Sequence, residues 1–499
     1  MSRFDRAATP ARVRAPRPPR AVETALIADL SHDGRGVAHV DGKAVFIDEA
    51  LPGERVEWMR VKRGRSFDEG RLVRVLEPSA ERVVPQCAHF GVCGGCVLQH
   101  LSPAGQIAFK QRQLNEALAR IGRVTAAQTL APLQAGAWHY RRRARLGARW
   151  VPKKNRTVVG FRERNTSYVA DLVRCEVLQP PADALIEPLS QLLSGLSIRD
   201  RVPQVEVAVG DSAVALVIRV LASPSPQDLV SLRRFASERQ VRIYLQPGGY
   251  DTVAPLPAAS PGAGASPADA VQDQARLSYR LPRFGVSVQF LPTDFVQVNA
   301  ALNVAMVERA VELLSPAPGE RVLDLYCGSG NFSLPLARSG AQVVGVEGEA
   351  VLIARARDNA RSNELPNAGF HVANLADETL AERAQAGRAR TGGLQAGCLS
   401  GSAASSSQDE AAAWAGRPWE ARSYDKVLLD PPRAGAKEVL PIVARCGAAR
   451  VLYVSCHPAS LARDAGILVH EYGFRLQAAG VMDMFPHTAH VESVALFTR

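Results

Sequence analysis

The chain has no apolar segment in its first twenty residues and no apolar run long enough to span a bilayer. Neither a secretory signal peptide nor a membrane span is therefore expected. Cysteine is sparse, at 8 among 499 residues, and a chain of this size needs no disulfides to stabilise its core. That pattern suits a reducing, cytoplasmic setting and leaves the cysteines as metal or catalytic candidates. Acidic residues are in deficit, with 49 Asp and Glu against 60 Lys and Arg and a net charge of +11. Such an excess favours a polyanionic partner, although a merely basic enzyme shares it. Coiled-coil heptads are also missing, so a monomer with no obligate protein partner is expected.

What is present divides the chain into parts. Residues 1–21 carry a run of arginine and proline that cannot build a core and predict a disordered basic arm. Residues 22–80 read as about five short strands punctuated by Asp33-Gly34, Asp41-Gly42 and Pro52-Gly53. That fits a small OB-like β-barrel whose hairpin of Arg60, Lys62, Arg63 and Arg65 suits phosphates. Residues 81–290 are mixed α and β and hold the very basic stretch YRRRARLGARWVPKKNRTVVGFRER. Tyr140, Trp150 and Phe161 lie among or beside its cations, the combination that single-stranded RNA contacts use. Within this part, the Ala, Pro, Gly and Ser of residues 253–270 predict a mobile insertion. Residues 291–499 alternate strands and helices, the pattern of a doubly wound α/β sheet. Their strands are RVLDLYC, QVVGVEG, GFHVAN, DKVLLDPP and RVLYVSC, with VESVALFTR closing the chain, and residues 385–420 read as a second insertion.

The segment VLDLYCGSGNF is the most informative. A strand runs to Asp324, a turn follows at Gly328 and Gly330, and a helix begins near Phe332. Glycines let a backbone approach a ligand at the carboxyl edge of a sheet. The third glycine that a dinucleotide pyrophosphate usually requires is missing. Glu347 ends the next strand, seventeen residues after Gly330, where an acid can accept both ribose hydroxyls. Asn374 in the third turn can meet an adenine edge. The pattern D-x-Y-C-G-x-G-x-F resembles the first motif of class I methyltransferases that use S-adenosylmethionine.

Two further strand ends carry chemistry. DKVLLDPPRAG brings Asp430 to the carboxyl edge of a central strand. Methylases of exocyclic amino groups follow such a loop with an aromatic residue; Arg433 stands here instead. VLYVSCHP brings Cys456 to the neighbouring edge position. A thiolate added to C6 of uracil makes C5 nucleophilic, so a cysteine there suits C5 methylation. Cationic neighbours such as Arg433 or Arg463 would help it ionise. The last segment, MFPHTAHVESVALF, offers His487, His490 and Glu492 as bases. Upstream, PQCAHFGVCGGCVLQH places Cys87, Cys93 and Cys96 close together, and Cys175 follows much later. Four such thiols suit zinc or an iron–sulfur cluster, and spacing alone does not choose.

Taken together, DLYCGSGNF, LLDPPRAG, YVSCHPASLARD and MFPHTAHVESV resemble, in order and spacing, the RNA uracil-C5 methyltransferase family. The resemblance covers residues 22–499 apart from the two insertions. It implies Cys456 as the nucleophile and Glu492 as the base that removes the C5 proton. It implies S-adenosylmethionine contacts from Gln297, Tyr326, Asn331, Glu347, Asn374 and Asp430. The N-terminal barrel resembles the TRAM domain, an RNA-binding module. Cys87, Cys93, Cys96 and Cys175 match the pattern that holds a [4Fe–4S] cluster in the large-subunit branch of the family, which implies 23S rRNA as the substrate. His457 stands where the family commonly has Asn, and Asp-Pro-Pro-Arg where it often has Asp-Pro-Ala-Arg. Competing readings are a tRNA uracil-C5 methyltransferase, an RNA cytosine-C5 methyltransferase, and a non-enzymatic iron–sulfur RNA-binding protein.

Overall fold

The computed structural model describes residues 21–257, 276–380, 382 and 418–499. The basic arm at 1–20 and most of the two insertions lie outside the described residues. Contacts divide the chain into two compact units, Met1–Arg82 and Val83–Arg499.

The first unit holds six strands: β1 (Val22–Leu26), β2 (Asp29–Leu30), β3 (Gly36–Val40), β4 (Lys43–Asp48), β5 (Arg55–Arg63) and β6 (Phe67–Glu77). They form one sheet in the order β1-β5-β6-β4-β3-β2. Asp41 and Gly42 both have positive φ between the paired Val40 and Lys43, which gives the tight two-residue hairpin turn. The chain after β1 curls the sheet on itself: Ile27 N donates to Glu54 O at 2.9 Å and Ala28 N to Val37 O at 2.8 Å. Alternate residues then point inward, and Ile27, Ala38, Val45, Ile47, Val56 and Trp58 make a small core. The basic hairpin is partly neutralised. Arg60 pairs with Glu23 and Asp68, and Lys62 with Glu69, while Arg63 and Arg65 are exposed.

The second unit begins with helix α1 (Pro103–Ala117), capped by Ser102 Oγ, which accepts from Gly105 N at 2.9 Å. One π-helical turn at Leu118–Gly122 extends it. After β7 (Gln128–Thr129) come β8 (Arg143–Val151), β9 (Arg156–Gly160), α2 (Ile186–Gly195), β10 (Gln204–Val209), β11 (Val214–Arg219), α3 (Pro226–Arg239), β12 (Val241–Gln246) and β13 (Ala254–Pro255). Six of these strands form a sheet in the order β13-β12-β11-β10-β8-β9. The pairing of Tyr244 with Pro255 corrects the insertion expected from residue 253, because the chain stays in the sheet through β13. The hairpin β14 (Leu277–Leu281) and β15 (Val286–Phe290) follows.

The last part runs α4 (Ala300–Leu314), β16 (Arg321–Leu325), α5 (Ser333–Arg338), β17 (Gln342–Glu347), α6 (Ala350–Ser362), β18 (Ala368–Val372), β19 (Lys426–Leu429), α7 (Leu440–Arg445), β20 (Arg450–Ser455), α8 (Pro458–His470), β21 (Arg475–Met482) and β22 (Glu492–Thr498). The sheet order is β18-β17-β16-β19-β20-β22-β21-β7. The first five strands are parallel, and β22 inserts antiparallel between β20 and β21. This is the doubly wound α/β sheet expected, with two strands that sequence reading missed. Arg475–Met482 reads RLQAAGVM and lacks a β-branched run, and β7 has two residues; both become strands through their neighbours.

No seam separates the parts that meet at residue 290. Tyr279 and Phe290 of the hairpin share one hydrophobic core with Val217, Leu302, Val322 and Leu452. On the sheet's other face, Ile107 and Leu114 of α1 pack with Leu323, Val427 and Leu461. Trp419 is buried in that second core, so the insertion expected to end at 420 ends earlier. Among the described residues, no helix is long and apolar enough to cross a membrane.

Trp58 is fully buried in the small core of the first unit. Trp58→Ala should cost that unit about 3–5 kcal/mol. Hydrogen exchange under denaturant should show β4–β6 opening earlier while β16–β22 keep their wild-type midpoint.

Candidate active site

Past β16 the chain turns sharply. Tyr326, Gly328 and Gly330 all have positive φ, at 65°, 54° and 97°. Glycine tolerates this; a tyrosine does not do so freely, and such strain concentrates at functional sites. Tyr326 N and Cys327 N donate to Val346 O at 2.9 and 3.1 Å, which pins the turn to β17. Beneath it, Ser333 Oγ donates to the fully buried Asp324. Burial pushes the Asp324 carboxyl up to about 7 despite that bond. Cys327 is buried under the loop as a packed residue.

Other strand ends add polar groups. The Glu347 carboxylate accepts from Gly328 N at 3.2 Å and Gly348 N at 2.7 Å, tying the ends of β16 and β17 together. Asn374 Oδ1 accepts from Ala376 N at 3.1 Å in the turn after β18. Asn331 Oδ1 accepts from Tyr279 Oη at 2.8 Å, and its amide pairs with that of Asn303. The segment carrying Gln297 is clamped from two sides. Arg143 donates to the carbonyls of Thr293 and Asp294, and Arg355 ion-pairs with Asp294 at 2.6 Å.

The order of β20 and β22 then decides the chemistry. Their antiparallel register pairs Ser455 with Ser493. One step further, Cys456 leaves the end of β20 at the edge where Glu492 begins β22, and both line the same cleft. Asp430 leaves the adjacent parallel strand β19 at the same edge. The sheet thus gathers a thiol and two carboxyls in one place. Burial pushes the Cys456 thiol up to about 11; the Glu492 and Asp430 charges add to this, and Arg433 opposes it. Burial, then the Asp430 charge, holds Glu492 well above the usual carboxylate range. Asp430 is pushed up to about 7 by burial alone.

All eight expected residues, Gln297, Tyr326, Asn331, Glu347, Asn374, Asp430, Cys456 and Glu492, line one cleft of about 690 Å³. That volume suits a small cofactor together with a flipped base. Sequence reading missed the aromatic walls, Tyr279, Phe295 and Phe485. Phe295 is 68% exposed, a large apolar surface that its position two residues before Gln297 in DFVQVNA does not reveal. Of the alternative bases, His490 lines the cleft, 3.4 Å from Arg433 Nη2 through Nδ1. His487 turns away, packs its ring 4.1 Å from that of Trp138, and is pushed down to about 4, chiefly by burial. Arg463 is taken by Asp464 at 2.7 Å, so Arg433 is the cation that acts on the thiol. His457 caps α8, its Nδ1 accepting from Ser460 N at 3.3 Å, a task that Asn also performs.

The four remaining expected residues gather elsewhere. Cys87, Cys93, Cys96 and Cys175 line a cavity of about 20 Å³ with Phe90, Phe161 and Leu172, and none is in a disulfide. Burial raises the thiols of Cys93, Cys96 (to about 12) and Cys175 (to about 11), and the other thiols add to it. Among the described residues no group of three or more His, Cys, Asp or Glu has the geometry of a metal-ion site. The basic stretch at 141–164 is largely consumed internally. Arg143 and Arg145 pair with Glu206, and Lys154 and Arg156 with Asp171. Tyr140 is buried and donates to Pro486 O at 3.1 Å, so it cannot stack on a base as expected.

The family model described as tRNA (Uracil-5-)-methyltransferase matches residues 274–394 and 416–499, and the TRAM domain model matches 16–61. A protein of Alkalilimnicola ehrlichii, named 23S rRNA (uracil(1939)-C(5))-methyltransferase RlmD, is 48% identical over 490 residues, covering 98% of each chain. A Methylococcus capsulatus protein of the same name is 45% identical over 95% of this chain and 96% of its own. The crystal structure of Pyrococcus abyssi tRNA (uracil-54, C5)-methyltransferase in complex with S-adenosyl-L-homocysteine aligns with a TM-score of 0.65. It covers 95% of this chain and all of that one at 23% identity, a likeness that speaks for the fold alone.

Because Arg433 lowers the thiol's proton affinity, Arg433→Met should leave less thiolate at any given pH. Alkylation of Cys456, followed by peptide mass mapping, should rise steadily from pH 7 to 10 in the wild type. At pH 8 the variant should react about three- to tenfold more slowly.

Proposed function

Because this chain belongs to the RNA uracil-C5 methyltransferase family, we propose that it methylates C5 of a uridine in 23S rRNA, with S-adenosylmethionine as methyl donor. The meeting of Cys456 and Glu492 in the same cleft as the glycine turn, at the edge where Ser455 pairs with Ser493, carries the chemistry of this reading. The substrate class rests on relatives that match nearly the whole chain at 45–48% identity.

S-adenosylmethionine supplies an electrophilic methyl group when bound. Glu347 suits its ribose, Asn374 its adenine, and Gln297, Tyr326, Asn331 and Asp430 the rest of the cleft wall. Cys456 acts as the nucleophile. Its thiolate adds to C6 of the uracil, forming a C6–S bond and making C5 electron-rich enough to accept the methyl. Glu492 then removes the proton from C5, and the C6–S bond breaks to return the thiolate. Burial raises the proton affinity of both Cys456 and Glu492, which opposes formation of the thiolate and the carboxylate that the reaction uses. Arg433 is the fixed cation that lowers that cost.

At the second site, Cys87, Cys93, Cys96 and Cys175 would hold a [4Fe–4S] cluster. The donor set fits: four thiols face one small cavity, aromatic and aliphatic side chains surround them, and Gly95 N donates to Cys93 Sγ at 3.4 Å. Ionisation of Cys93, Cys96 and Cys175 is opposed by burial and by neighbouring thiols, and a bound cluster would hold them as thiolates. A tRNA substrate is the second reading, favoured by the description of the matching family model. A cytosine-C5 reaction is disfavoured by the loop Asp430-Pro431-Pro432-Arg433, which lacks a second cysteine.

Purified protein offered unmodified 23S rRNA and tRNA separately should yield 5-methyluridine in the 23S rRNA alone, read by nucleoside mass spectrometry. Product in tRNA would move the substrate assignment, and 5-methylcytidine would end the uracil reading. Cys456→Ala should abolish turnover while S-adenosylmethionine still binds, and Glu492→Gln should trap a protein–RNA adduct that survives a denaturing gel. Anaerobically purified chain should contain iron; zinc alone would refute the cluster.

A further inference from the structure

Two segments that are remote in sequence meet beside the thiol site. Val97 N and Leu98 N both donate to His487 O at 2.9 Å. Gln106 of α1 closes the joint: its Oε1 accepts from His487 N at 2.7 Å, and its Nε2 donates to Leu98 O and Leu101 O at 3.1 and 2.9 Å. One turn on, Lys110 Nζ pairs with Asp483 at 2.5 Å and donates to Phe485 O at 2.9 Å. Val97 directly follows Cys96, and Gln99 Oε1 accepts from Cys87 N at 3.2 Å, so the same loop wraps the thiols.

The segment held in this way leads into the cleft. Phe485, His490 and Glu492 line it, while His487 between them is locked at a φ of 66°. A non-glycine residue keeps that conformation only where its surroundings impose it. Gln106 and Lys110 are both buried, Lys110 completely. Burying an amide and an ammonium is costly, and apolar side chains would fill the space at less expense. What the polar pair adds is a fixed geometry for the chain it grips.

We propose that Gln106 and Lys110 are positioning residues that couple the thiol site to the Asp483–Glu492 segment, so that filling the thiol site sets the alignment of Glu492 against Cys456. The inference rests on the reading of that site as an iron–sulfur centre. Removal of the cluster frees the Cys96–Leu98 loop, and with it the two hydrogen bonds to His487 O. Gln106→Leu breaks the same joint from the other side while leaving the four thiols untouched.

The test is hydrogen exchange on the full chain in three forms: iron-loaded wild type, the same protein stripped of iron, and iron-loaded Gln106→Leu. Amides at 484–490 should exchange about tenfold faster or more in the second and third forms, while those of Arg321–Leu325 keep their protection. Gln106→Leu should retain its iron and its KM for both substrates yet lose about ten- to a hundredfold in kcat. Unchanged protection at 484–490 in either form overturns the proposal. So does equal loss at 484–490 and 321–325, which would mean general destabilisation. If Gln106→Leu does not fold, Lys110→Met takes its place with the same criteria. Exchange needs no turnover, so a wild type that methylates nothing would count against the proposed function and leave this coupling to be judged separately.

Discussion

The site depends on one topological constraint, the insertion of β22 antiparallel beside β20. In a wholly parallel sheet, Glu492 at the start of its strand would emerge at the edge opposite Cys456, which follows the end of its own. Reversing one strand brings a strand start and a strand end to the same edge. The register Ser455–Ser493 then brings thiol and carboxyl to one edge of the cleft. Everything else in the cleft is arranged around that pair. Asp430 comes from the parallel neighbour β19, and the glycine turn comes from β16 beyond it.

The second constraint is electrostatic. The cleft concentrates groups that become negative, namely Asp430, Glu492 and Cys456, with Arg433 as the cation that acts on the thiol. Burial raises the proton affinity of all three, and the Asp430 charge adds to it at Cys456 and Glu492. A cationic methyl donor is well matched to such a place, because it meets latent negative charge that water has already left.

Several sequence signals changed meaning once partners were visible. The basic stretch at 141–164 looked like a face for RNA. Much of its charge is spent on Glu206, Asp171 and the carbonyls of Thr293 and Asp294, where it braces the segment carrying Gln297. Tyr140 belongs to the support of Pro486 instead of to a stacking platform. His457, a departure from the usual asparagine, keeps the helix-capping role. These outcomes share a cause: a charge or ring in a linear sequence does not announce which distant residue it will meet.

Strand-end motifs were legible because they are local. Glycines at positive φ, an acid closing the following strand and a cysteine after a β-branched run each encode their own backbone geometry within a few residues. From those segments the doubly wound sheet, Glu347, Asn374, Asp430, Cys456 and the four-thiol set could be drawn up, whereas Gln297, Tyr326 and Asn331 were implied by the family resemblance. What the sequence could not supply were β7 and β21, which have weak intrinsic strand preference and exist through their neighbours. Nor could it supply the aromatic walls, the choice of Arg433 over Arg463, or the joint between Gln106 and His487. Those rest on tertiary contacts, in the joint's case between residues 381 positions apart, and only the folded chain brings such residues together.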